Sequence, residues 1–252
     1  MKSSTINTQA TRGLLNIYVT AGYPEIDSLP KILKTLDAEG VEMAEVGFPY
    51  SDPLADGSVI QESSAKALEN GITVDLIFDQ LQGLNLSMDI IGMGYFNTIL
   101  TYGLEDFCRR CAKVGIKALI LPDLPFDIYI GEYKAIFETY GLSMIFMVCP
   151  QTSDVRIRQM DEQGGLFLYA VSSASTTGQN KSMEQSKAYF ERLRSMDLQR
   201  PVMIGFNIKS SADFSYVSSY VQGGIIGSAF INSLKDKEDI TIASQQFIRS
   251  IR

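Results

Sequence analysis

Short runs of apolar residues recur along the chain, and most of them are separated by amphipathic stretches of helical length. Within most of the runs, apolar residues occupy consecutive positions and do not alternate with polar ones, which is typical of parallel strands covered on both faces. The pattern predicts strands at Leu14–Val19, Met43–Val46, Asp89–Met93, Ala118–Leu121, Met144–Val148, Leu166–Val171, Pro201–Gly205 and Gly224–Ile226.

Several of the intervening stretches end directly before a glycine, as helices with a left-handed C-terminal cap do. The helices predicted in this way are Leu29–Glu39, Tyr102–Val114 and Ile128–Tyr140, which precede Gly40, Gly115 and Gly141. A further helix, Val59–Glu69, follows a loop at Phe48–Ser58 that is rich in Pro, Asp and Gly. Strands that alternate with helices of this length predict βαβ units and a parallel sheet.

The even spacing of the strands favours a single (β/α)8 TIM barrel that comprises residues 1–252 as one domain. The length is usual for that fold. An open, doubly wound sheet is the structural alternative. In a barrel the active site lies at the C-terminal ends of the strands. The residues that follow each apolar run are therefore the candidates for function.

Charge and hydropathy exclude some partners. The chain has 29 acidic and 22 basic residues and a net charge of -7, which disfavours binding to nucleic acid because phosphates would be repelled. The N-terminal residues lack the apolar segment of a secretory signal, and no apolar run is long enough to span a bilayer. We therefore expect a cytoplasmic protein that contacts neither nucleic acid nor membrane.

The histidine and cysteine content of the chain limits which catalytic and metal sites it can form. The chain has no histidine, which excludes a Ser-His-Asp triad, a Cys-His dyad and a three-histidine zinc site. Its three cysteines are Cys108, Cys111 and Cys149, a number that indicates a reducing compartment and no disulfide framework. Cys108 and Cys111 alone cannot complete a zinc site. We predict that they are buried and that the chain binds no metal.

Two carboxylates at the second apolar run are candidates for catalysis. Glu45 lies between Ala44 and Val46, and burial would raise its pKa enough for it to donate a proton near neutral pH. The alternative is an ion pair with a buried Arg or Lys. Asp56 lies in the following loop, where it could also be a simple turn residue.

Glycine-containing segments follow the last three apolar runs. They are Thr176-Thr177-Gly178, Gly205-Phe206-Asn207 and Gly227-Ser228-Ala229. Glycine lets backbone N–H groups approach an anion closely, and a helix N-terminus adds a favourable dipole. Barrels often bind phosphate after their seventh and eighth strands. The segments therefore predict a phosphate site made of backbone groups, without Arg or Lys.

The segment Glu45–Gly57, Glu-Val-Gly-Phe-Pro-Tyr-Ser-Asp-Pro-Leu-Ala-Asp-Gly, resembles the signature of the tryptophan synthase alpha subunit family. The resemblance extends over nearly the whole chain, through Val19–Pro24, Met93–Asn97, Leu121–Pro125, Tyr169–Gly178, Gly205-Phe206 and Gly227-Ser228. It implies the (β/α)8 fold and a lyase of tryptophan biosynthesis that cleaves indole-3-glycerol phosphate into indole and D-glyceraldehyde 3-phosphate.

The resemblance also implies roles for individual residues. Glu45 takes the position of the catalytic acid/base, and Asp56 that of the carboxylate facing the indole nitrogen. The positions around the indole ring are Tyr18, Tyr95, Leu121, Tyr169 and Phe206. The positions that bind phosphate and substrate are Thr177, Gly178, Gly205, Phe206, Asn207, Gly227 and Ser228. The chain departs from the family at Ser58, Ser173, Ser175 and Asn207, which concerns loop closure and partner coupling more than the reaction.

A partner follows from the same resemblance. The family works with a beta subunit that carries pyridoxal phosphate, in an alpha2-beta2 heterotetramer, and this chain would need no cofactor of its own. Two other interpretations stay open. A different barrel enzyme acting on a phosphorylated small molecule is disfavoured by the Ser-Asp-Pro-Leu-Ala-Asp loop. A non-catalytic homologue that only regulates a partner is disfavoured by the presence of both Glu45 and Asp56.

Overall fold

The computed structural model describes residues 13–172 and 186–252. Its strands are all parallel and form one sheet. They are β1 (Leu14–Thr20), β2 (Met43–Gly47), β3 (Asp89–Met93), β4 (Ile116–Ile120), β5 (Ser143–Met144), β6 (Met147–Val148), β7 (Leu168–Val171), β8 (Val202–Gly205) and β9 (Gly223–Ile226).

Helices follow most of the strands in the chain. They are α1 (Ser28–Ala38), α2 (Ser58–Glu69), α3 (Val74–Leu81), α4 (Phe96–Tyr102), α5 (Leu104–Val114), α6 (Phe126–Ile128), a π-helical turn (Tyr129–Tyr133), α7 (Lys134–Thr139), α8 (Asp154–Gln163), α9 (Lys187–Ser195), α10 (Ser211–Ser218), α11 (Ser228–Leu234) and α12 (Ile240–Ile251). Among these described helices, none is long and apolar enough to cross a membrane.

The sheet closes into a barrel at the fifth predicted strand. The strand order is β5-β4-β3-β2-β1-β9-β8-β7-β6, so β5 and β6 lie at the two ends of the sheet although they are close neighbours in sequence. The N–H of Ile145 donates to the carbonyl of Leu119 at 2.9 Å, and the carbonyl of Phe146 accepts from the N–H of Tyr169 at 3.0 Å. The segment from β5 to β6 thus joins β4 to β7 and completes the predicted (β/α)8 barrel.

Some predicted boundaries are wrong. The strand Met144–Val148 is divided into β5 and β6, because its first half pairs with β4 and its second half with β7. The fourth strand begins at Ile116, two residues before the predicted start, and ends at Ile120, one residue before the predicted end. The helix Tyr102–Val114 is two helices, because Gly103 has a φ of 102° and interrupts the turn.

The predicted helix Ile128–Tyr140 is also interrupted, by the π-helical turn between α6 and α7. The helices α1 and α2 are confirmed within one or two residues of their predicted ends. The three glycines predicted as helix ends, Gly40, Gly115 and Gly141, all have positive φ, between 70° and 83°. Cys108 and Cys111 are buried, as predicted, and all three cysteines are free.

Side chains of the strands point alternately into the barrel and towards the helices. On β1, Leu15, Ile17 and Val19 belong to the large cluster between barrel and helices, whereas Leu14 packs inside with residues such as Ile91 and Met203. Both faces are buried, which explains why the strands are mostly apolar. A polar side chain on an inner face is therefore an exception that needs a physical reason.

The last described helix is joined by ion pairs to the segment between α1 and β2. Arg249 on α12 pairs with Glu39 at 2.7 Å. Arg252 pairs with Glu42, whose carboxylate also accepts from the N–H of Leu15 at 2.9 Å. The side chain of Arg252 is 7% exposed, against 68% for Arg249. Glu42 thus connects α12 to β1 at a site partly withdrawn from water.

Candidate active site

Glu45 lies on the inner face of β2 and is 1% exposed. Burial raises the pKa of its carboxyl to about 8, and a hydrogen bond from Asn16 lowers it in part. The amide Nδ2 of Asn16, on neighbouring β1, donates to Oε1 of Glu45 at 2.6 Å. The raised pKa is as predicted, and the hydrogen-bond partner is a neutral amide and not the Arg or Lys of the alternative. At neutral pH Glu45 is therefore mainly protonated and can donate its proton.

Asp56 lies in the loop between β2 and α2, and hydrogen bonds with Tyr95, which follows β3, fix the position of this loop. The hydroxyl of Tyr95 donates to Oδ2 of Asp56 at 3.0 Å and accepts from the N–H of Ala55 at 2.9 Å. Burial raises the pKa of Asp56 to about 6, and the hydrogen bond from Tyr95 opposes that rise. Asp56 is therefore mainly ionised at neutral pH, and its side chain has a tertiary partner beyond the turn.

Two further tyrosines, Tyr18 on β1 and Tyr169 on β7, face the same interior space as the carboxyls. Burial raises the pKa of each hydroxyl, and the negative charges of Asp56 and Glu45 raise it further. Such charge effects act over short distances in a dry interior. The structure thus brings Tyr18, Glu45, Asp56, Tyr95 and Tyr169 together from four different strands and the loops that follow them.

Each of these two inner tyrosines lies over a glycine of the next strand. Tyr18 is in register with Glu45, and a Cβ on Gly47, two residues further on β2, would overlap the tyrosine ring and hydroxyl. Tyr169 is in register with Met203, and a Cβ on Gly205, two residues further on β8, would overlap it in the same way. The two glycines leave room for the rings that line the interior.

The turn after β8 has an unusual backbone. Phe206 and Asn207 have φ values of 70° and 63°, a left-handed conformation that asparagine tolerates and phenylalanine rarely adopts. Ser172 stabilises it, because its N–H donates to the carbonyl of Gly205 at 3.2 Å and its hydroxyl to that of Phe206 at 3.1 Å. The Phe206 ring packs edge-on against Tyr169, with centroids 6.4 Å apart. Strained backbone held in place by its surroundings is common at binding sites.

The segment after β9 lies beside Tyr18. A Cβ on Gly227 would make ordinary contacts with Cβ of Tyr18 at 3.4 Å and with Cδ1 of Ile60 at 3.7 Å. Ser228 is the first residue of α11, as predicted. Thr177 and Gly178, the remaining residues predicted to bind substrate, lie outside the described residues, as do Ser173 and Ser175.

One predicted pocket residue lies apart from the others. Leu121, which follows β4, belongs to the large cluster between barrel and helices, with Phe48 and Phe107. Its backbone is close to the barrel mouth, but its side chain is not grouped with the inner residues around Tyr169.

The sequence reasoning missed two contributors. Asn16 is a polar residue inside the first apolar run, two positions before Tyr18, and the period of two along a strand could have placed both on the inner face. Tyr50 stacks on Tyr95, with ring centroids 5.0 Å apart and planes at 22°. For Tyr50 the sequence offered no signal beyond its place in the loop after β2.

Comparison with known proteins shows the family. The family model for the tryptophan synthase alpha chain matches residues 5–250. The chain is 46% identical to the tryptophan synthase alpha chain of Flavobacterium johnsoniae, over 100% of both chains. The chain belongs to the tryptophan synthase alpha chain family. It is thus an enzyme subunit of tryptophan biosynthesis, a lyase that performs the alpha reaction, the cleavage of indole-3-glycerol phosphate.

Solved structures of tryptophan synthase alpha chains have the same fold. The crystal structure of the subunit from Legionella pneumophila superposes with a TM-score of 0.86 at 28% identity, covering 95% of this chain and 91% of that one. A chain in the crystal structure of tryptophan synthase from M. tuberculosis superposes with a TM-score of 0.82 at 27% identity, covering 96% and 94%. The TIM-barrel fold of the family is therefore confirmed for this chain.

Proposed function

We propose that Glu45 and Asp56 carry the alpha reaction, with Glu45 as the acid/base at ring carbon C3 of the substrate and Asp56 as the carboxylate facing the ring N1–H. The observation that supports this most directly is the difference between their environments. The deeper carboxyl has a pKa of about 8 and the shallower one of about 6. At neutral pH one is a proton donor and the other an anion, within one interior space.

These two states suit a retro-aldol cleavage in which the indole ring takes up the electrons. Glu45 protonates C3, and the positive charge that develops at N1 is stabilised by the anionic Asp56. The hydroxyl on the side-chain carbon next to C3 then loses its proton to Glu45, and the bond between that carbon and C3 breaks. The bonding electrons return to the ring, which leaves neutral indole, D-glyceraldehyde 3-phosphate and a reprotonated Glu45.

The test of Glu45 is its amide variant. Glu45→Gln keeps the shape but removes the proton, so indole release from indole-3-glycerol phosphate is expected to fall by about 10²-fold or more, with substrate binding retained. Asp52→Asn, which changes an exposed carboxylate of the same loop, is the control and retains the parent rate. Cleavage by Glu45→Gln within tenfold of the parent would remove Glu45 from this role.

A second part of the proposal concerns the phosphate. The turns after β8 and β9 hold Gly205, Phe206, Asn207, Gly227 and Ser228 at neighbouring strand ends of the barrel, and none of these residues is basic. We assign the phosphate to their backbone N–H groups, together with Thr177 and Gly178. Inorganic phosphate or sulfate is expected to compete with substrate.

Gly227→Val tests this phosphate site. The space beside Gly227 accepts a Cβ, so the fold tolerates a side chain while the extra methyl groups hinder the substrate. We expect KM to rise with little change in thermal stability. An unchanged KM in a correctly folded variant would place the phosphate elsewhere.

The third part concerns the partner. We infer that the chain works in the cytoplasm with a beta subunit that binds pyridoxal phosphate, in an alpha2-beta2 assembly, while this chain needs no cofactor. The family supports the partner, and one structural neighbour is from a tryptophan synthase crystal structure. The three free cysteines suit a reducing compartment. On the loop that carries Asp56, Leu54 is 76% exposed, which offers an apolar contact.

A kinetic comparison tests the effect of that partner. A partner that covers Leu54 would hold the Asp56 loop in place and raise the fraction of competent molecules. We expect kcat for indole release to rise when a beta subunit is added at saturating substrate, and Leu54→Ser to reduce the rise. Tight binding of the beta subunit without any increase in kcat would contradict the ordering of this loop.

A further inference from the structure

Only one of the two polar side-chain atoms of Asn16 has a hydrogen-bond partner among the described residues. Its side chain is fully buried on the inner face of β1. The amide Nδ2 donates to Oε1 of Glu45 at 2.6 Å, whereas Oδ1 is buried with no hydrogen-bond partner among the described residues. The asparagine therefore contributes a donor to one carboxyl oxygen and leaves its own acceptor unsatisfied.

An unsatisfied buried acceptor destabilises the folded state. Inner positions elsewhere in the barrel hold Ile91, Ala118 and Met203, and a leucine would match asparagine in shape without an orphaned oxygen. Stability alone thus favours an apolar residue at position 16. The remaining reason for the amide is its contact with Glu45.

We propose that Asn16 is a positioning residue that determines which oxygen of Glu45 carries the transferable proton. Because Nδ2 donates to Oε1, Oε1 acts as an acceptor and the proton resides on Oε2. The amide thereby holds the acid in one of its two protonated forms and in one orientation. This inference rests on the acid/base role proposed for Glu45.

The same hydrogen bond favours the reaction after the proton has left. The Glu45 carboxylate formed by transfer is a stronger acceptor than the neutral acid, so the bond from Asn16 becomes charge-assisted. An interaction that strengthens as charge develops lowers the barrier. Among the described residues, the titratable groups that interact electrostatically with Glu45 are Tyr18 on β1 and Tyr169 on β7, and both also interact with Asp56 in the loop after β2. None of these is a cation, so the amide is the identified hydrogen-bond donor to this carboxyl.

The test is Asn16→Leu, measured in the full chain with indole-3-glycerol phosphate. We expect kcat to fall about tenfold or more with KM nearly unchanged, since the lost interaction acts in the transition state. The pKa of Glu45 rises further when a bond that favours its charged form is removed. The alkaline limb of the pH profile is therefore expected to move to higher pH, while the melting temperature stays equal or increases.

Two controls separate positioning from a general effect on the core. Thr35→Val removes a buried hydroxyl of α1 that bonds to the carbonyl of Lys31, and the alkaline limb is expected to stay in place. In a Glu45→Gln background there is no acid proton to position, so Asn16→Leu is expected to have no further effect on residual activity.

The outcomes distinguish this inference from the role of Glu45 itself. If Glu45→Gln is inactive but Asn16→Leu keeps the parent kcat and an unmoved alkaline limb, Asn16 does not position the acid. If Asn16→Leu loses activity only in proportion to a lower melting temperature, its role is structural and the inference is likewise overturned. If Glu45→Gln retains cleavage, the acid role fails, and the positioning role with it.

Discussion

At the scale of single residues, the site holds two carboxyls in different states by placing them at different depths. Glu45 is enclosed by the barrel and has a neutral amide as its partner, so burial dominates and its pKa is about 8. Burial also raises the pKa of Asp56, but Asp56 lies nearer the surface and the hydroxyl of Tyr95 favours its charged form, so its pKa rises only to about 6. A protonated Glu45 and an ionised Asp56 therefore coexist at neutral pH, because the two carboxyls differ in depth and in hydrogen-bond partner.

The pH dependence of catalysis follows from these two groups. The reaction needs Glu45 protonated and Asp56 ionised, so kcat/KM is expected to fall below pH about 6 and above pH about 8. Asp56→Asn removes the ionised partner, and it is expected to lower the rate while abolishing the acidic limb. A rate profile that rises steadily through pH 9 would contradict the role of Glu45 as a proton donor.

The pH dependence of folding offers an independent measurement on Glu45. Its folded-state pKa of about 8 lies above the ordinary glutamate value of 4.5, so the folded state binds a proton that the unfolded state has released. The free energy of unfolding is therefore expected to fall as pH rises from about 4.5 to about 8, by up to about 1.4 kcal/mol per pH unit. Glu45→Gln removes this contribution, whereas Asp56, whose pKa is raised to about 6, contributes a smaller fall below pH about 6 in both proteins. Urea denaturation of both proteins at pH 5 and pH 8 checks it, and equal pH slopes in the two would contradict the raised pKa.

At the scale of elements, the sequence predicted the type and order of the strands but not how one of them pairs. Apolar runs mark buried strands, and this signal located β1, β2 and β3 within a residue or two. The division between β5 and β6 depends on which strands this segment pairs with in the folded barrel. The local sequence does not encode that pairing. The helix α3 was missed, although the side-chain oxygen of Thr73 caps it by accepting a hydrogen bond from the N–H of Leu76.

The site was predictable to a similar degree. A glutamate among apolar neighbours pointed to Glu45 and its raised pKa, because burial can be inferred from the run around it. The hydrogen bond between Tyr95 and Asp56 joins residues 39 positions apart in the chain, and no local pattern predicts such a contact. The same holds for Asn16 and Glu45, which are 29 positions apart.

The glycine at the end of β8 provides a test at this scale. In Gly205→Ala the new Cβ overlaps Tyr169, so the ring must move. We expect a loss of about 2 kcal/mol in stability and a higher KM for substrate. The control is Gly131→Ala in the π-helical turn, where a Cβ meets nothing within 4 Å, and it is expected to stabilise by about 0.5 kcal/mol. Equal melting temperatures for the two variants would contradict the packing of Tyr169 on Gly205.

At the scale of the whole molecule, the barrel is secured where its last helix meets its first strands. Arg252→Ala removes a nearly buried guanidinium from Glu42 and leaves that carboxylate bonded to the N–H of Leu15. We expect a loss of about 2 kcal/mol, because partly buried charge pairs are costly to break. Arg249→Ala removes an exposed guanidinium from Glu39 and is expected to cost less. Chemical denaturation of both variants measures the difference, and a larger loss for Arg249→Ala would reverse this assignment.

The two pairs of tyrosine and glycine have a consequence for how the barrel can diverge. Tyr18 with Gly47 and Tyr169 with Gly205 show the same offset on two separate pairs of strands. A substitution that replaces either glycine with a larger residue creates a steric clash with the tyrosine ring. A substitution that replaces either tyrosine with a smaller residue leaves a cavity. Each pair is therefore expected to evolve as a unit, with a larger residue at the glycine position accepted in lineages that have already lost the ring opposite it.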